Sequence, residues 1–447
     1  MDLGTYLEQL TQLDRLTIIR SPVATELELA ALCRREFAKD GGGKALLFEK
    51  PGHSAFSVAA NLFGAEQRAS RLLHSSSYRE FEKKLQTFLQ QRSGSSTERL
   101  SVVGEREELV PNEQTELQFR PDLTLTDLPA IQSWPGEGGG YLTLALALTE
   151  DLETGAKNLG LYRVQIIDSN HLAVNFSPTS GAENHLTKVK KLNQPLPITL
   201  ILGSDPALIW LASAPLPQQC DEFLFYRTFF KQQQQFTAGL SQPLSVPADA
   251  EMIIEGQILP RKTVTEGPFG NHTGQYVTRS DCPVMQVTAI RKQAKAIIPM
   301  TVVGPPPSEN IYLAKASEIL LREMLKIDYP QLSNLQMPLE TIFHGVALLA
   351  VKPQSMAKNR DLIDSLWKDS PLSRSKLLVL LDEDIDLASA SSCWWRTINR
   401  LQQQKIYQDS GRIAIDATGV DPENLVMEDR QTGELLHRRR PDEGDVV

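Results

Sequence analysis

Between residues 119 and 300 the chain is cut into short apolar runs by turn-forming residues. This rhythm restricts the fold more than any other feature. The runs lie at 141–148, 161–167, 172–176, 198–202, 251–254 and 284–290. Each has strand length, and their recurrence suits a β-rich middle domain, with a barrel among the options. The flanks read differently. Leu3, Tyr6, Leu7, Leu10 and Leu13 mark one face of a helix before a strand at 16–19. Helical spacing recurs at 24–38 and about 65–90, around a strand at 45–48. Gly304-Pro305-Pro306-Pro307 closes the middle region. A helix at 309–326 follows, then apolar runs at 347–351 and 377–381 around a helix near 355–368. Strand–helix–strand alternation predicts an α/β layer domain. The polar stretch 92–118 reads as an exposed connection. The expected division is therefore 1–118, 119–303, 304–419 and a charged tail, 420–447.

The turn chemistry inside this frame is concentrated at Glu266-Gly267-Pro268-Phe269-Gly270-Asn271-His272-Thr273-Gly274. Glycine and proline there predict a tight turn between strands, and the polar side chains are candidates to face a cleft. A connecting loop would have the same composition. In Asn158-Leu159-Gly160-Leu161-Tyr162-Arg163-Val164-Gln165, polar and apolar residues interleave as on a strand with one polar face. Arg163 can clamp a carboxylate or phosphate with two nitrogens, or form an ordinary surface ion pair. Small residues at Ala212-Ser213-Ala214 would let backbone approach a ligand, and Glu222 with Asn158 would offer oxygen to a hard cation. Arg412, beside Ile415-Asp416-Ala417-Thr418, is either a phosphate contact or a strand edge. Gly41-Gly42-Gly43-Lys44 lacks phosphate-loop spacing and leads into a strand, so it predicts only a turn.

Several function classes are excluded by bulk properties. With 46 basic and 55 acidic residues the net charge is -9, which argues against general nucleic-acid binding. Cys33, Cys220, Cys282 and Cys393 are far apart and have no zinc-site spacing, so free thiols in a reducing compartment are expected. No apolar run is long enough to span a bilayer, and no leader pattern opens the chain, so a cytoplasmic protein is expected.

Taken together, these segments resemble the UbiD family of decarboxylases. The turn is similar to that family's EGPFG(D/E)HTG signature. The Asn158–Arg163 segment, Gly203-Ser204-Asp205-Pro206-Ala207 and Ile415-Asp416-Ala417-Thr418 appear in the family's order. So do Ala45-Leu46-Leu47-Phe48-Glu49, Asn61-Leu62-Phe63-Gly64 and Phe343-His344, and the likeness extends over about 1–419. The resemblance implies an N-terminal α/β domain, a central split β-barrel of flavin-reductase type and a C-terminal α/β domain. It implies prenylated FMN as cofactor, with Mn2+ and K+ at its phosphate, and a small aromatic or unsaturated acid as substrate. A polyprenyl-hydroxybenzoate of quinone biosynthesis is one such acid. A prenyl-flavin synthase would supply the cofactor, and the chain would form homo-oligomers. Decarboxylation leaves carbanion character that needs an electron sink, which a modified flavin supplies and no side chain does. Carried over by motif, Arg163 positions the substrate carboxylate and pairs with Glu266, the acid/base. Asn158 and Glu222 hold the metal. Backbone at Leu161, Tyr162 and Arg163 and at Ala212, Ser213 and Ala214 lines the flavin, and Arg412 stands near its phosphate.

The sequence departs from that pattern in three places. Asn271 replaces the family's Asp or Glu and has no titratable proton, which passes proton delivery to Glu266, His272 or water. Pro178 or Thr179 occupies the place of the metal-binding histidine, with His185 a little beyond. The segment between Trp394 and Gly411 is short. Two readings follow: an active carboxy-lyase, or a non-catalytic relative that binds a prenylated intermediate or supports a biosynthetic complex.

Overall fold

A computed structural model describes residues 1–101, 116–218, 220–341 and 345–419, together with two-residue strands at Met427–Glu428 and Leu435–Leu436. Phe343, His344, the centre of the 92–118 connection and nearly all of the charged tail lie outside the described residues. The chain divides into two compact units, Met1–Glu323 and Met324–Val447.

The first unit opens with α1 (Leu3–Gln12), β1 (Leu16–Ile19), α2 (Glu28–Phe37), β2 (Ala45–Phe48) and β3 (Ser57–Ala60). Helices α3 (Glu66–Leu72), α4 (Tyr78–Gln90) and α5 (Ser96–Leu100) follow, the last a short helix inside the expected connection. Helix α4 buries Phe81, Leu85, Phe88 and Leu89, a spacing that puts all four on one face. Next come β4 (Gln118–Phe119), β5 (Tyr141–Glu150), β6 (Lys157–Ile166), β7 (His171–Val174), α6 (Gly181–Lys191), β8 (Leu196–Leu202), α7 (Ala207–Leu211) and α8 (Glu222–Phe230). Short strands β9 (Phe236–Thr237) and β10 (Val246–Pro247) pair with each other. Two long strands, β11 (Met252–Gly270) and β12 (Tyr276–Lys292), precede β13 (Ile297–Pro299) and α9 (Asn310–Asp328).

Strands β1, β2, β3 and β13 form one sheet. The larger sheet runs β11-β8-β5-β6-β7-β12-β4, and β11 also pairs with β12. Hydrogen bonding thus passes from β11 through β8, β5, β6, β7 and β12 and returns to β11. Nearly every residue of β5 is buried, which explains its unbroken apolar sequence where a one-faced strand would alternate. A continuous core joins Cys33 and Phe37 of α2, Phe48 of β2, Val164 of β6, Leu186 of α6 and Ile198 of β8.

In the second unit, β14 (Leu332–Gln336), β15 (Val346–Val351), β16 (Leu377–Asp382), β17 (Ile406–Asp409) and β18 (Arg412–Asp416) form a sheet in the order β14-β15-β16-β18-β17. The crossover helix α10 (Met356–Asp369) joins the parallel strands β15 and β16, and α11 (Ala390–Asn399) follows β16. This is the expected α/β layer.

One sequence expectation changes. Residues 266–270 are not a turn. They are the last residues of β11, and only 271–275 reverse the chain. The β-rich middle region also carries α6, α7 and α8. Residues 176–182 run into α6, where Ser180 caps the helix by accepting from Glu183 N. Ser180 and Glu183 have capping-box spacing, the signal that identifies this helix start.

Candidate active site

Strand alternation on β6 places Asn158 and Tyr162 on one face and Arg163 and Gln165 on the other. The single polar face expected for 158–165 is therefore two faces, with different partners. On the second face, Arg163 donates to Glu266 through Nε and Nη2, at 2.8 Å to each carboxylate oxygen. Asn175 Nδ2 adds a third donor, 2.7 Å from Glu266 Oε2. The Glu266 side chain is fully buried, whereas Arg163 keeps 24% of its side-chain surface. The guanidinium also lies 4.7 Å from the centre of the Phe269 ring, whose edge meets Tyr141. A two-pronged contact and a flat aromatic neighbour leave Arg163 few alternative positions.

The backbone of 266–270 is held by side chains as well as by the ladder. Gly267 N donates to Gln165 Oε1 at 2.9 Å, and Gly270 N donates to Glu137 Oε1 at 3.1 Å. Glu137 also accepts from Ser133 N and Trp134 N, so this buried carboxylate ties the 133–140 loop to the end of β11. Gly138 N donates to Pro268 O at 2.8 Å. A Cβ on Gly138 would fall 2.2 Å from Gly267 O, so only glycine permits that approach.

Beyond Gly270 the Asn271 side chain is engaged locally. Its Oδ1 accepts from Thr273 N at 2.9 Å, Thr273 Oγ1 at 2.6 Å and Gln275 N at 3.4 Å. The residue closes the turn as Asx residues commonly do. Burial, and then the charge of Arg163, holds the neighbouring His272 imidazole below its usual pKa. Burial pushes the thiol of Cys282 up to about 12, so it stays protonated beside this cluster.

The other face of β6 gathers the remaining oxygen donors. Leu159 N donates to Glu222 Oε2 at 3.0 Å, and Leu161 N donates to Ala212 O at 2.9 Å. These bonds bring the first turn of α8 and the end of α7 against β6. Burial pushes the Glu222 carboxyl up to about 8. Asn158 Nδ2 is buried without a partner, and a Cβ on Gly181 would fall 2.3 Å from Asn158 Oδ1. A buried carboxyl and the side-chain oxygen of an amide are donors of the type that hard cations take. Thr179 does not complete the set: it is exposed, and its carbonyl accepts from Gln218 Nε2. His185 is not available from a rearranged loop either. It is buried on α6, with Nδ1 3.0 Å from Thr149 Oγ1. Among the described residues no three His, Cys, Asp or Glu side chains gather as a metal site.

Arg412 lies on β18 in the second unit. Its Nη1 donates to Trp367 O at 3.2 Å and Ser373 O at 3.0 Å, and its Nη2 pairs with Asp409. Asn175, Glu137 and Arg279 were not anticipated. Asn175 was visible as a polar residue inside an apolar run, and Glu137 as a carboxylate among glycines. Arg279 faces Glu266 in the β11–β12 register and donates to Phe176 O at 2.8 Å, which no local pattern announces.

His185 and His272 are both held below the ordinary imidazole pKa by burial. Above about pH 6.5 they are neutral whether folded or unfolded and do not affect stability. As pH falls below that value the unfolded chain takes up protons that the folded chain refuses, so stability declines. Buried carboxyls such as Glu222 and Glu309 act in the opposite sense, but equally in wild type and in His185→Gln, so the urea midpoint of the variant relative to wild type should rise as pH falls from 7 to 5. A difference that stays constant with pH would remove His185 from this account.

Three family models cover most of the chain: the N-terminal domain of 3-octaprenyl-4-hydroxybenzoate carboxy-lyase at residues 7–86, its Rift-related domain at 106–306 and its C-terminal domain at 311–420. The chain belongs to the UbiD family of carboxy-lyases. An uncharacterized protein of Aquifex aeolicus is 32% identical over 414 residues, 90% of this chain and 85% of the relative. One of the 4-hydroxybenzoate decarboxylase subunits of Chlamydia pneumoniae is 29% identical over 89% of this chain and 69% of its own length. Vanillic acid decarboxylase of Sedimentibacter hydroxybenzoicus, in closed form, superposes with a TM-score of 0.83 at 23% identity, covering 99% of this chain and 96% of that one. An evolved dimeric form of the UbiD-class enzyme HmfF of Pelotomaculum thermopropionicum, in complex with prFMN, gives 0.75 at 22% identity, covering 93% and 94%. These structures share the UbiD-class fold, with mixed α/β content and several sheets. No helix among the described residues is long and apolar enough to cross a membrane.

Proposed function

We propose that this UbiD-family chain decarboxylates an aromatic acid with prenylated FMN, and that Glu266 and Arg163 carry the reaction. The observation that supports this most is the fully buried Glu266 carboxylate held by two nitrogens of a partly exposed arginine. We read the closed circuit of strand pairing as the split β-barrel, within the division 1–118, 119–303, 304–419 and 420–447. Leu161 N donates to Ala212 O, and we read the flavin as lying along this backbone and that of Arg163, where the short side chains of Ala212, Ser213 and Ala214 leave room for a flat ring. Tyr162 instead points into the core against Phe176, so its contribution is through backbone. The bound cofactor would act as the sink for the electron pair that departing CO2 leaves on the substrate carbon. Glu222 and Asn158 would give two oxygen ligands to Mn2+, and K+ would serve the phosphate. The cofactor would come from a prenyl-flavin synthase. A polyprenyl-hydroxybenzoate is one substrate that this reading admits.

The residues divide the work. Arg163 orients the substrate carboxylate from its exposed edge while its inner nitrogens fix Glu266. Glu266 holds the proton that is exchanged at the carbon that loses CO2. Neutral His272 and water relay protons past Asn271, which has none to give. Protein produced with a prenyl-flavin synthase should show the spectrum of a bound flavin and release CO2 from some member of a panel of aromatic acids. Cofactor-free protein that releases none would overturn the reading.

The incomplete metal set favours a second reading, a non-catalytic relative that binds a prenylated intermediate. Asn271→Asp separates the two. The new carboxylate keeps the acceptor that closes the turn and adds a titratable group. In an otherwise intact site, turnover should rise by up to about 100-fold. Flavin-loaded protein with no activity before or after the change would support the second reading.

A further inference from the structure

We propose that a cleft in the first unit, between the end of α1 and helices α3 and α4, binds the phosphate or diphosphate group of a small molecule with an apolar body. The cleft has a volume of about 640 Å³ and is lined by Arg15, Arg68 and Arg71. None of the three forms an ion pair with a carboxylate among the described residues. Arg68 is only 2% exposed, and its Nε is buried without a partner. Its Nη atoms donate to the carbonyls of Gly42 and Gly43, which are dipoles and carry no net charge. Arg15 Nη2 donates to the amide oxygen of Gln67, at 3.4 Å. Arg15 and Arg68 are close enough for their charges to oppose each other.

A buried guanidinium without an anion is costly, and a second arginine beside it raises the cost. The acidic groups nearby do not resolve this: Glu36 also acts on Arg68 but is engaged by Lys39 Nζ and Lys44 N. Glu309 and the Tyr6 hydroxyl face Arg68 from the buried side, and burial pushes the Glu309 carboxyl up to about 7, which weakens its charge at neutral pH. Glu66 lies at the rim, and Glu80 is occupied by Ser76 and Lys84. On a chain of net charge -9, three arginines drawn together with no ion-paired carboxylate among the described residues favour an external anion. Arginine forks match phosphate oxygens in pairs, and a diphosphate spreads enough charge to meet several of them. Leu10 and exposed Leu13 form an apolar wall of the same cleft, placed for the carbon portion of an ester.

The test is calorimetric titration of the full chain with inorganic pyrophosphate, then phosphate, then citrate, each with and without saturating FMN. Saturable pyrophosphate binding is expected, weakening with added salt and unchanged by FMN. Arg15→Ala and Arg71→Ala should each weaken it by about tenfold, the loss of one charge-assisted hydrogen bond. Both side chains are exposed, so the variants should unfold at the wild-type temperature, which a melting curve checks. Absence of saturable binding, full binding by the Arg15→Ala/Arg71→Ala double variant, or displacement by FMN would each overturn the proposal. Equal binding of citrate would overturn the assignment to phosphate. None of these outcomes depends on whether the chain decarboxylates anything.

Discussion

Replacing Glu266 by glutamine is expected to lower turnover by about 100-fold or more while leaving the fold in place. Glutamine matches the shape of the side chain and keeps one oxygen for Arg163. It cannot take up and return a proton, and it turns an amide donor toward Asn175 Nδ2 or toward the guanidinium. Rates of CO2 release at saturating substrate measure the effect, and the flavin spectrum confirms that the cofactor site survives. A variant with wild-type turnover would remove Glu266 from the chemistry and would leave Arg163 as its structural partner. Loss of both cofactor and activity would instead make the Arg163–Glu266 pair part of the scaffold.

The largest expected loss of stability lies elsewhere on the same strand. Glu255 is fully buried and accepts from the backbone of Leu240, Ser241 and Gln242. Arg291 of β12, itself nearly buried, approaches its Oε1 at 2.9 Å, out of line for a hydrogen bond. Glu255→Ala removes the anion and strands the cation, at a cost of about 3–5 kcal/mol. Glu255→Gln keeps an acceptor for the loop and should cost less than Glu255→Ala, since Arg291 alone loses its partner charge. Urea unfolding of the three proteins orders them. An alanine variant as stable as the wild type would show that water reaches Arg291.

Much of this architecture was legible because it rests on local pattern. The amphipathic spacing of α1 and α4, the strand–helix–strand order in the second unit and the apolar runs of β5 and β8 all state their environment directly. The Arg163–Glu266 pair was accessible only through family motif, because the two residues are 103 positions apart. The turn at 266–274 was misjudged for a physical reason. Glycine and proline discourage regular structure, yet here Gln165, Glu137 and Gly138 supply bonds from outside the hairpin that keep these residues extended. Helix α6 was missed because its apolar face is short and includes His185, which reads as polar until Thr149 satisfies it. Asn175 and Arg279 gain meaning only once β7 and β12 are side by side.

The hairpin of β11 and β12 behaves as a cantilever. Its root, Met252–Ile258 with Val284–Gln286, is clamped between β8 and β7. Its outer part, from Thr263 to Gly270 and back from Tyr276 to Pro283, pairs only with itself, through a ladder broken by register shifts. Glu266 and Asn271 ride on that overhang, steered by side-chain struts from β6 and from the 133–140 loop. On the proposed mechanism, reactivity and cohesion fall at opposite ends of one element. Damage at the root should cost the fold before it touches the chemistry, and damage at the tip should do the reverse.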